Sequence, residues 1–404
     1  MTRLAKLVLV GSILAWLPGC PGGPIPIPTP PPTEAYDCSN PPALLGLVAS
    51  AHPIKDRYIV VLKRPRGARL AAGDVPSIVR SFAGLEEVQT FSRTVSGFSA
   101  KITSDQALSK VLADSRVAYV QQEGRKSIRV TWGLDRIDQR DRPLSNSYDP
   151  GADGAGVNAA IIDTGVTAVA DFEGRLSSDC FTAIVLGGCN DGHGHGTHVA
   201  GTIGGKTWGV AKKTNLFAVR VLDANGSGTD TDVIRGIEWV TAKKEASPQA
   251  LWVANMSLGG DPAPALDQAV CDSIAAGVVH AVAAGNEGAD SRTSSPARVV
   301  EALTTGATDR GDAGASFTNF GPFVDLFAPG VDVESARPDG GSATMSGTSM
   351  ASPHMAGGAV LYLQRNPAST PAQVAAGLVA AASKDKLSSI GTGSPNLLLY
   401  VRQD

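Results

Sequence analysis

The run Val157-Asn-Ala-Ala-Ile-Ile-Asp163-Thr164-Gly165 constrains the fold more than any other stretch. It is apolar and β-rich without one-sided alternation, which marks a strand covered on both faces, as in a parallel sheet with helices above and below. The acid and glycine turn that close the run put Asp163 at the carboxyl edge of that sheet, where open α/β folds build their sites. Two later segments also turn sharply and then enter a helix. One is Asp191-Gly-His193-Gly-His195-Gly-Thr-His198-Val-Ala-Gly201, whose glycines let the backbone bend tightly before an apolar helix. The other is Ser346-Gly-Thr-Ser349-Met-Ala-Ser-Pro353-His354, which sets a serine at the start of a long small-residue helix. Helix N-termini stabilise negative charge that develops beside them. The fold class expected is α/β, a parallel sheet with helices on both faces.

The chain has 404 residues, more than one core needs, so a large domain with smaller appendages is expected. With 43% hydrophobic and 18% charged residues, disorder is excluded over most of the length. A net charge of −3 argues against a nucleic-acid surface. Arg3 and Lys6 precede the apolar run Leu7 to Leu17, which has the size of a secretory core and is too short to span a bilayer, so residues 1–20 read as an export signal. Within it, Leu17-Pro18-Gly19-Cys20 resembles the lipobox of bacterial lipoproteins, with Pro18 a departure from the usual small residue. That resemblance implies a lipid on Cys20 and anchoring in a bacterial cell envelope; simple secretion is the alternative. Residues 21–53 read as a Pro-rich tether, and at about 3.1 Å per residue the segment PGGPIPIPTPPPT would reach on the order of 40 Å. Residues 54–126 form a small α+β unit. Its expected elements are strands at Tyr58–Leu62, Phe98–Ile102 and Val117–Gln121 and helices at Val75–Phe82 and Ser104–Asp114. The three polar motifs all fall in residues 127–404.

Singly, each motif permits other readings. Asp-Thr-Gly also occurs in aspartic proteases, but those need a second copy and an all-β frame. The histidine cluster has no recognised zinc spacing, and no cysteine or carboxylate pair completes a site. Gly151, Gly154 and Gly156 precede a strand, whereas phosphate loops follow one. Asp223-Ala-Asn225-Gly226 hints at an EF-hand, but Ile234 stands where the closing glutamate belongs. Taken in order, DTG, HGTHVAGT and GTSMASPH resemble the subtilase family of serine endopeptidases. WGLDRIDQRD, ANMSLGG, AAGNEG and FTNFGPFVDLFAPG extend the likeness from Trp132 to Tyr400 and bring it nearest the proteinase K and aqualysin branch. RYIVVLK, SGFSAKI and VAYVQQEG in the small unit resemble the inhibitor-like propeptide of the same family; a free-standing binding module is the alternative.

The resemblance implies Ser349 as nucleophile, His195 as general base, Asp163 as its orienting carboxylate, and His198 as a structural residue. His193 stands where relatives often carry Asn. Asn286 and the Ser349 amide would form the oxyanion hole. Substrate would lie along Gly226-Ser227-Gly228 and Ser257-Leu258-Gly259-Gly260, with Ala283, Ala284 and Gly285 walling the S1 pocket. No acid stands on that wall, so broad preference for apolar or aromatic P1 residues is expected. Calcium is the expected cofactor, at Asp325 with Val300 and Ala302, and at a second site of Asp135, Asp138 and Gln139; no organic cofactor is expected. Relatives carry disulfides where this chain has Ala224 and Phe323. Here Cys180 and Cys189 flank a short loop, and export permits a bridge between them. Cys271, in the helical pattern Ala265–Ala276, reads as a buried thiol, and Cys38 has no assignment. The helix at Pro371–Ser383 and the GSPNLLLY ending resemble the family's own terminus. The expectation is a monomeric, exported endopeptidase acting on proteins and peptides. It would be made as a zymogen whose propeptide occupies the cleft and is cut near residues 122–130. A non-catalytic binding protein on the same frame is the rival.

Overall fold

A computed structural model describes residues 44–50, 53–63, 73–126, 133–145, 147–185 and 187–402, together with Pro28. The export segment with Cys20, the tether up to residue 43 with Cys38 and apart from Pro28, and the junction at 127–132 lie outside the described residues.

The N-terminal unit comprises β1 (Gly46–Val48), β2 (Pro53–Leu62), α1 (Asp74–Arg80), β3 (Glu86–Phe91), β4 (Gly97–Lys101), α2 (Asp105–Ala113) and β5 (Val117–Lys126). The strands run in the order β1-β5-β2-β4-β3. The two predicted helices and three predicted strands all form, and Ser104 caps α2 by accepting the Ala107 amide. The tether, expected to continue to residue 53, ends earlier: Gly46–Val48 pairs in parallel with Tyr119–Gln121, where Leu47 and Val48 become buried. β3 was also not anticipated, because Glu86-Glu-Val-Gln-Thr-Phe91 lacks apolar alternation and forms a largely solvated edge.

Period-two patterning in β2 decides how this unit sits. Val60 and Leu62 pack with Phe98, Leu108 and Val111 under the unit's own helices. Ile59 and Val61 face the other way, into a cluster with Val233, Ile237 and Ala269 of the larger domain. A sheet face left apolar in this way needs a partner, and the larger domain supplies it.

That domain contains β6 (Val157–Asp163), β7 (Phe181–Thr182), α3 (His195–Gly204), β8 (Asn215–Arg220), β9 (Gly228–Thr229), α4 (Asp230–Ala246), β10 (Leu251–Met256), α5 (Pro264–Ala275) and β11 (Val279–Ala283). Then follow β12 (Leu303–Thr308), β13 (Leu326–Pro329), the hairpin β14 (Val333–Ala336) and β15 (Ser342–Met345), α6 (Thr348–Arg365), α7 (Pro371–Ala381), β16 (Ser383–Lys384) and β17 (Leu397–Leu398). The main sheet has nine strands in the order β16-β17-β13-β12-β11-β10-β6-β8-β7. The expected parallel sheet forms, with one antiparallel edge strand, β16, pairing with β17, so that the whole sheet is mixed. Strand β6 is buried on both sides as its composition predicts: Ala159 and Ile161 pack with Val199, Ile203 and Met355 of α3 and α6, whereas Ala160 and Ile162 pack with Val233 and Ile237 of α4.

Cys180 and Cys189 are bridged. Cys271 is disulfide-bonded as well, which corrects the expectation of a buried thiol; its burial in α5 does not protect the sulfur once the chain is in an oxidising environment.

Candidate active site

Strands β6, β10 and β11 are adjacent and parallel, so their carboxyl ends present three loops side by side. The first carries Asp163, the second Ser257, and the third Ala284 to Asn286. This is the edge at which the sequence put Asp163.

Asp163 and His195 are fully buried and joined, with His195 Nδ1 at 2.7 Å from Asp163 Oδ1 and 2.9 Å from Oδ2. The approach depends on Gly196. A Cβ there would lie 2.1 Å from the Gly165 carbonyl oxygen, so only glycine lets the first turn of α3 seat against the Asp163 loop.

Helix α3 has Gly194 at its N-cap, which offers no side-chain acceptor. Two residues from outside the helix take that role. Thr164 Oγ1 accepts the Gly196 amide, and Asp191 Oδ2 accepts both the amide and the hydroxyl of Thr197. Asp191 Oδ1 also accepts the amides of His193 and Gly194 and the Thr164 hydroxyl, tying the Asp163 loop to the start of α3. Burial pushes the Asp191 carboxyl up, but these donors outweigh it and hold it below the usual carboxylate range. The sequence reading gave Asp191 no role. Its signal was an acid three residues ahead of a glycine N-cap that offers no side-chain acceptor.

Replacing Asp191 with alanine is expected to cost about 2 kcal/mol, the upper range for a lost cap. For a unit of this size that is about 4–8 °C in Tm, accompanied by about a tenfold fall in kcat from looser placement of His195. Thermal scans and steady-state kinetics check both. Because the folded carboxyl is held down, this contribution is present at neutral pH and is lost as pH falls through the acidic range.

The other two histidines of the motif differ in burial. His198 is buried, its Nε2 shares a hydrogen with the Ala343 carbonyl at 3.0 Å, and burial, then the neighbouring His195, lowers its pKa to about 3. It is therefore a neutral structural residue. His193 is exposed, with its ring 6.3 Å from that of His195.

Ser349 is the second residue of α6, which packs alongside α3 and is buried through its first turns. Its Oγ donates to the Ser257 carbonyl at 3.2 Å. Asn286 Oδ1 accepts the amide of Thr348 at 2.7 Å, which fixes the carboxamide beside that turn. Gly285, at φ +103°, donates its amide to Thr348 Oγ1. The loop is braced by Asn319, another residue the sequence reading missed, which bonds the Ala284 carbonyl and the amides of Glu287 and Ala289.

The substrate-edge residues are only partly brought together. Ser257 and Gly285 touch the Thr348–Ser349 turn, Leu258 is buried, and Ala283 and Ala284 are buried behind Gly285. Gly226 and Ser227 are turned onto Asp223, leaving Gly228 as the strand edge, where it pairs with Lys126 of β5. Asp325 is partly buried, and desolvation raises its pKa to about 7; its Oδ2 accepts the Thr304 amide. Asp135 and Gln139 both accept the Ser145 amide, and Asp138 accepts that of Asp149. No group of three or more His, Cys, Asp or Glu suited to a metal occurs among the described residues.

The sequence profile of the subtilase family matches residues 154–395. An alkaline serine exoprotease A from Vibrio alginolyticus is 44% identical over 90% of this chain and 70% of its own length. An extracellular serine proteinase from Thermus sp. strain Rt41A is 45% identical, covering 90% of this chain and 95% of the relative. Among solved structures, the crystal structure of a cold adapted subtilisin-like serine proteinase is 48% identical and superposes with a TM-score of 0.64, covering 68% of this chain and 99% of that one. With the profile spanning most of the larger domain and the fold matching, the chain belongs to the subtilase family and is a subtilisin-like serine endopeptidase.

Proposed function

We propose that the enzyme cleaves peptide bonds through Ser349, His195 and Asp163, with Asn286 in the oxyanion hole. The observation that carries this reading is the buried Asp163–His195 pair at 2.7 Å, on a helix packed along the one that begins at Thr348 and Ser349. A serine hydroxyl is a weak nucleophile at neutral pH, so a base must take its proton as it attacks. With Nδ1 facing Asp163, the His195 proton sits on Nδ1 and Nε2 is the basic atom. Nε2 accepts the Ser349 proton as Oγ bonds to the substrate carbonyl carbon. The oxygen that becomes negative is met by Asn286 Nδ2 and the Ser349 amide at the start of α6. The imidazolium then protonates the leaving amine as the C–N bond breaks, and water repeats the sequence in reverse on the acyl-enzyme. The small, buried side chains of Ala283 and Ala284 support a preference for apolar and aromatic P1 residues.

The N-terminal unit acts as an inhibitory propeptide in this reading. Arg125 and Lys126 of β5 pair antiparallel with Thr229 and Gly228, as a bound peptide would on a sheet edge. Glu123 accepts the Thr231 amide and Gln121 accepts the Ala265 amide, so the unit caps α4 and α5. Cleavage within 122–130 would separate it from the catalytic domain. Residues 1–20 support export, matching the word extracellular in a relative's name; the lipid on Cys20 stands as part of the proposal.

Casein hydrolysis together with fluorophosphonate labelling tests the reading. Label on the peptide containing Ser349 is expected, and a chain that neither labels nor cleaves is the binding-protein rival. A peptide library then reads out P1 preference.

Calcium at Asp325, with carbonyls of Val300 and Ala302, is also proposed. A partly buried carboxyl with a raised pKa and hard oxygen donors suits that ion. Without a cation, ionising Asp325 destabilises the fold, so stability should fall as pH rises from the ordinary aspartate range through about 7. Bound calcium should reverse this. Adding Ca²⁺ to chelator-treated protein is expected to raise Tm at pH 8 and hardly at pH 5, and Asp325→Asn should remove the difference.

A further inference from the structure

Pro353 interrupts the hydrogen-bond ladder of α6 at a consequential place. In an α-helix the amide of residue i donates to the carbonyl of i−4, and proline has no amide hydrogen. The carbonyl that loses its partner is therefore that of Ser349. The residue is 1% exposed, and a buried carbonyl needs another donor. Ser257, at the end of β10, supplies it: its Oγ donates to the Ser349 carbonyl at 2.5 Å. The contact is reciprocal, since Ser349 Oγ donates to the Ser257 carbonyl at 3.2 Å. Ser257 is itself held, because Asn255 Nδ2 donates to its Oγ at 2.9 Å, and Ser352 Oγ donates to Asn255 Oδ1 at 2.8 Å. All four residues are buried.

We infer that the Ser257 hydroxyl is a positioning residue for the nucleophile, replacing across the sheet edge the helix bond that Pro353 removes and so fixing Ser349 relative to strand β10. The backbone of Ser257 serves the substrate edge; this role belongs to its side chain. The inference rests on Ser349 being the nucleophile. It makes Ser257 and Pro353 a linked pair: once the proline is gone, the hydroxyl is redundant.

The test is a double-mutant cycle read by kcat, KM and Tm. Ser257→Ala keeps the carbonyl edge, so KM should stay within about threefold while kcat falls about 10- to 100-fold, the scale of a small misplacement of a reacting atom. Pro353→Ala alone should leave kcat within about threefold, because the restored amide merely duplicates the Ser257 bond. The double variant should recover about tenfold in kcat over Ser257→Ala, and the pH profile should be unchanged throughout, since the base is untouched. Wild-type kcat in Ser257→Ala, or a double variant no faster than that single variant, overturns the inference. A purely structural role would lower Tm without the kcat rescue, which also overturns it. If Ser257→Ala does not fold, Ser257→Cys, a weaker donor, carries the same comparison. Failure of the underlying reading is distinguishable, because it alone would leave Ser349→Ala active.

Discussion

Substituting Ser349 by alanine is expected to lower casein turnover about ten-thousand- to million-fold, the range found when one member of such a unit is removed from subtilisin itself. The fold should survive. The change removes one oxygen at a site where the neighbouring main chain is held independently: the Ser349 carbonyl by Ser257, and the Thr348 amide by Asn286. Tm should therefore move by no more than a few degrees, a size expected of a minor truncation. A second consequence follows from the proposed zymogen. The variant should accumulate with its N-terminal unit still attached, because the cut within 122–130 is made by the same serine. Kinetics on refolded or co-secreted material and the mass of the purified chain check the two effects separately. Turnover within tenfold of the parent would remove Ser349 from the chemistry, whereas loss of turnover with normal cleavage would assign maturation to another protease.

How much of this was legible in the sequence depended on whether the signal was local. His195 was picked out only by the family resemblance of its motif, whereas strand β6 and the position of Asp163 followed from patterning, because a strand buried on both faces and ended by a glycine turn leaves few architectures open. The helix at Ser349 was visible for the same reason. The parts that escaped are set by partners distant in sequence. Asp191 organises the site only because it reaches both the Asp163 loop and the exposed amides of α3. The role of the Ser257 side chain requires knowing that β10 ends beside Pro353 in α6. The short strand β1 pairs with residues more than seventy positions later, a contact that no window of neighbouring residues contains. Cys271 misled because burial within a helix looks the same whether or not the sulfur is bonded.

The Asp163→Asn substitution separates packing from proton placement. Asparagine has nearly the same shape, and its oxygen could still accept the Thr164 amide, which lies 2.7 Å from Asp163 Oδ1. Its nitrogen, however, would face His195 Nδ1, which now lies within 2.9 Å of both carboxylate oxygens. Two N–H donors cannot share one bond, so Nδ1 would have to become an acceptor and the imidazole proton would move to Nε2. The atom proposed to take the Ser349 proton would already carry one. Turnover is expected to fall about ten-thousand-fold, with Tm changing far less, because a neutral amide in the same volume leaves no buried charge unpaired. Fluorophosphonate labelling of Ser349 should slow in parallel, since that reaction also needs the base. A variant within tenfold of the parent in both assays would show that the carboxylate positions nothing essential, and the Asp163–His195 contact would then be structural only.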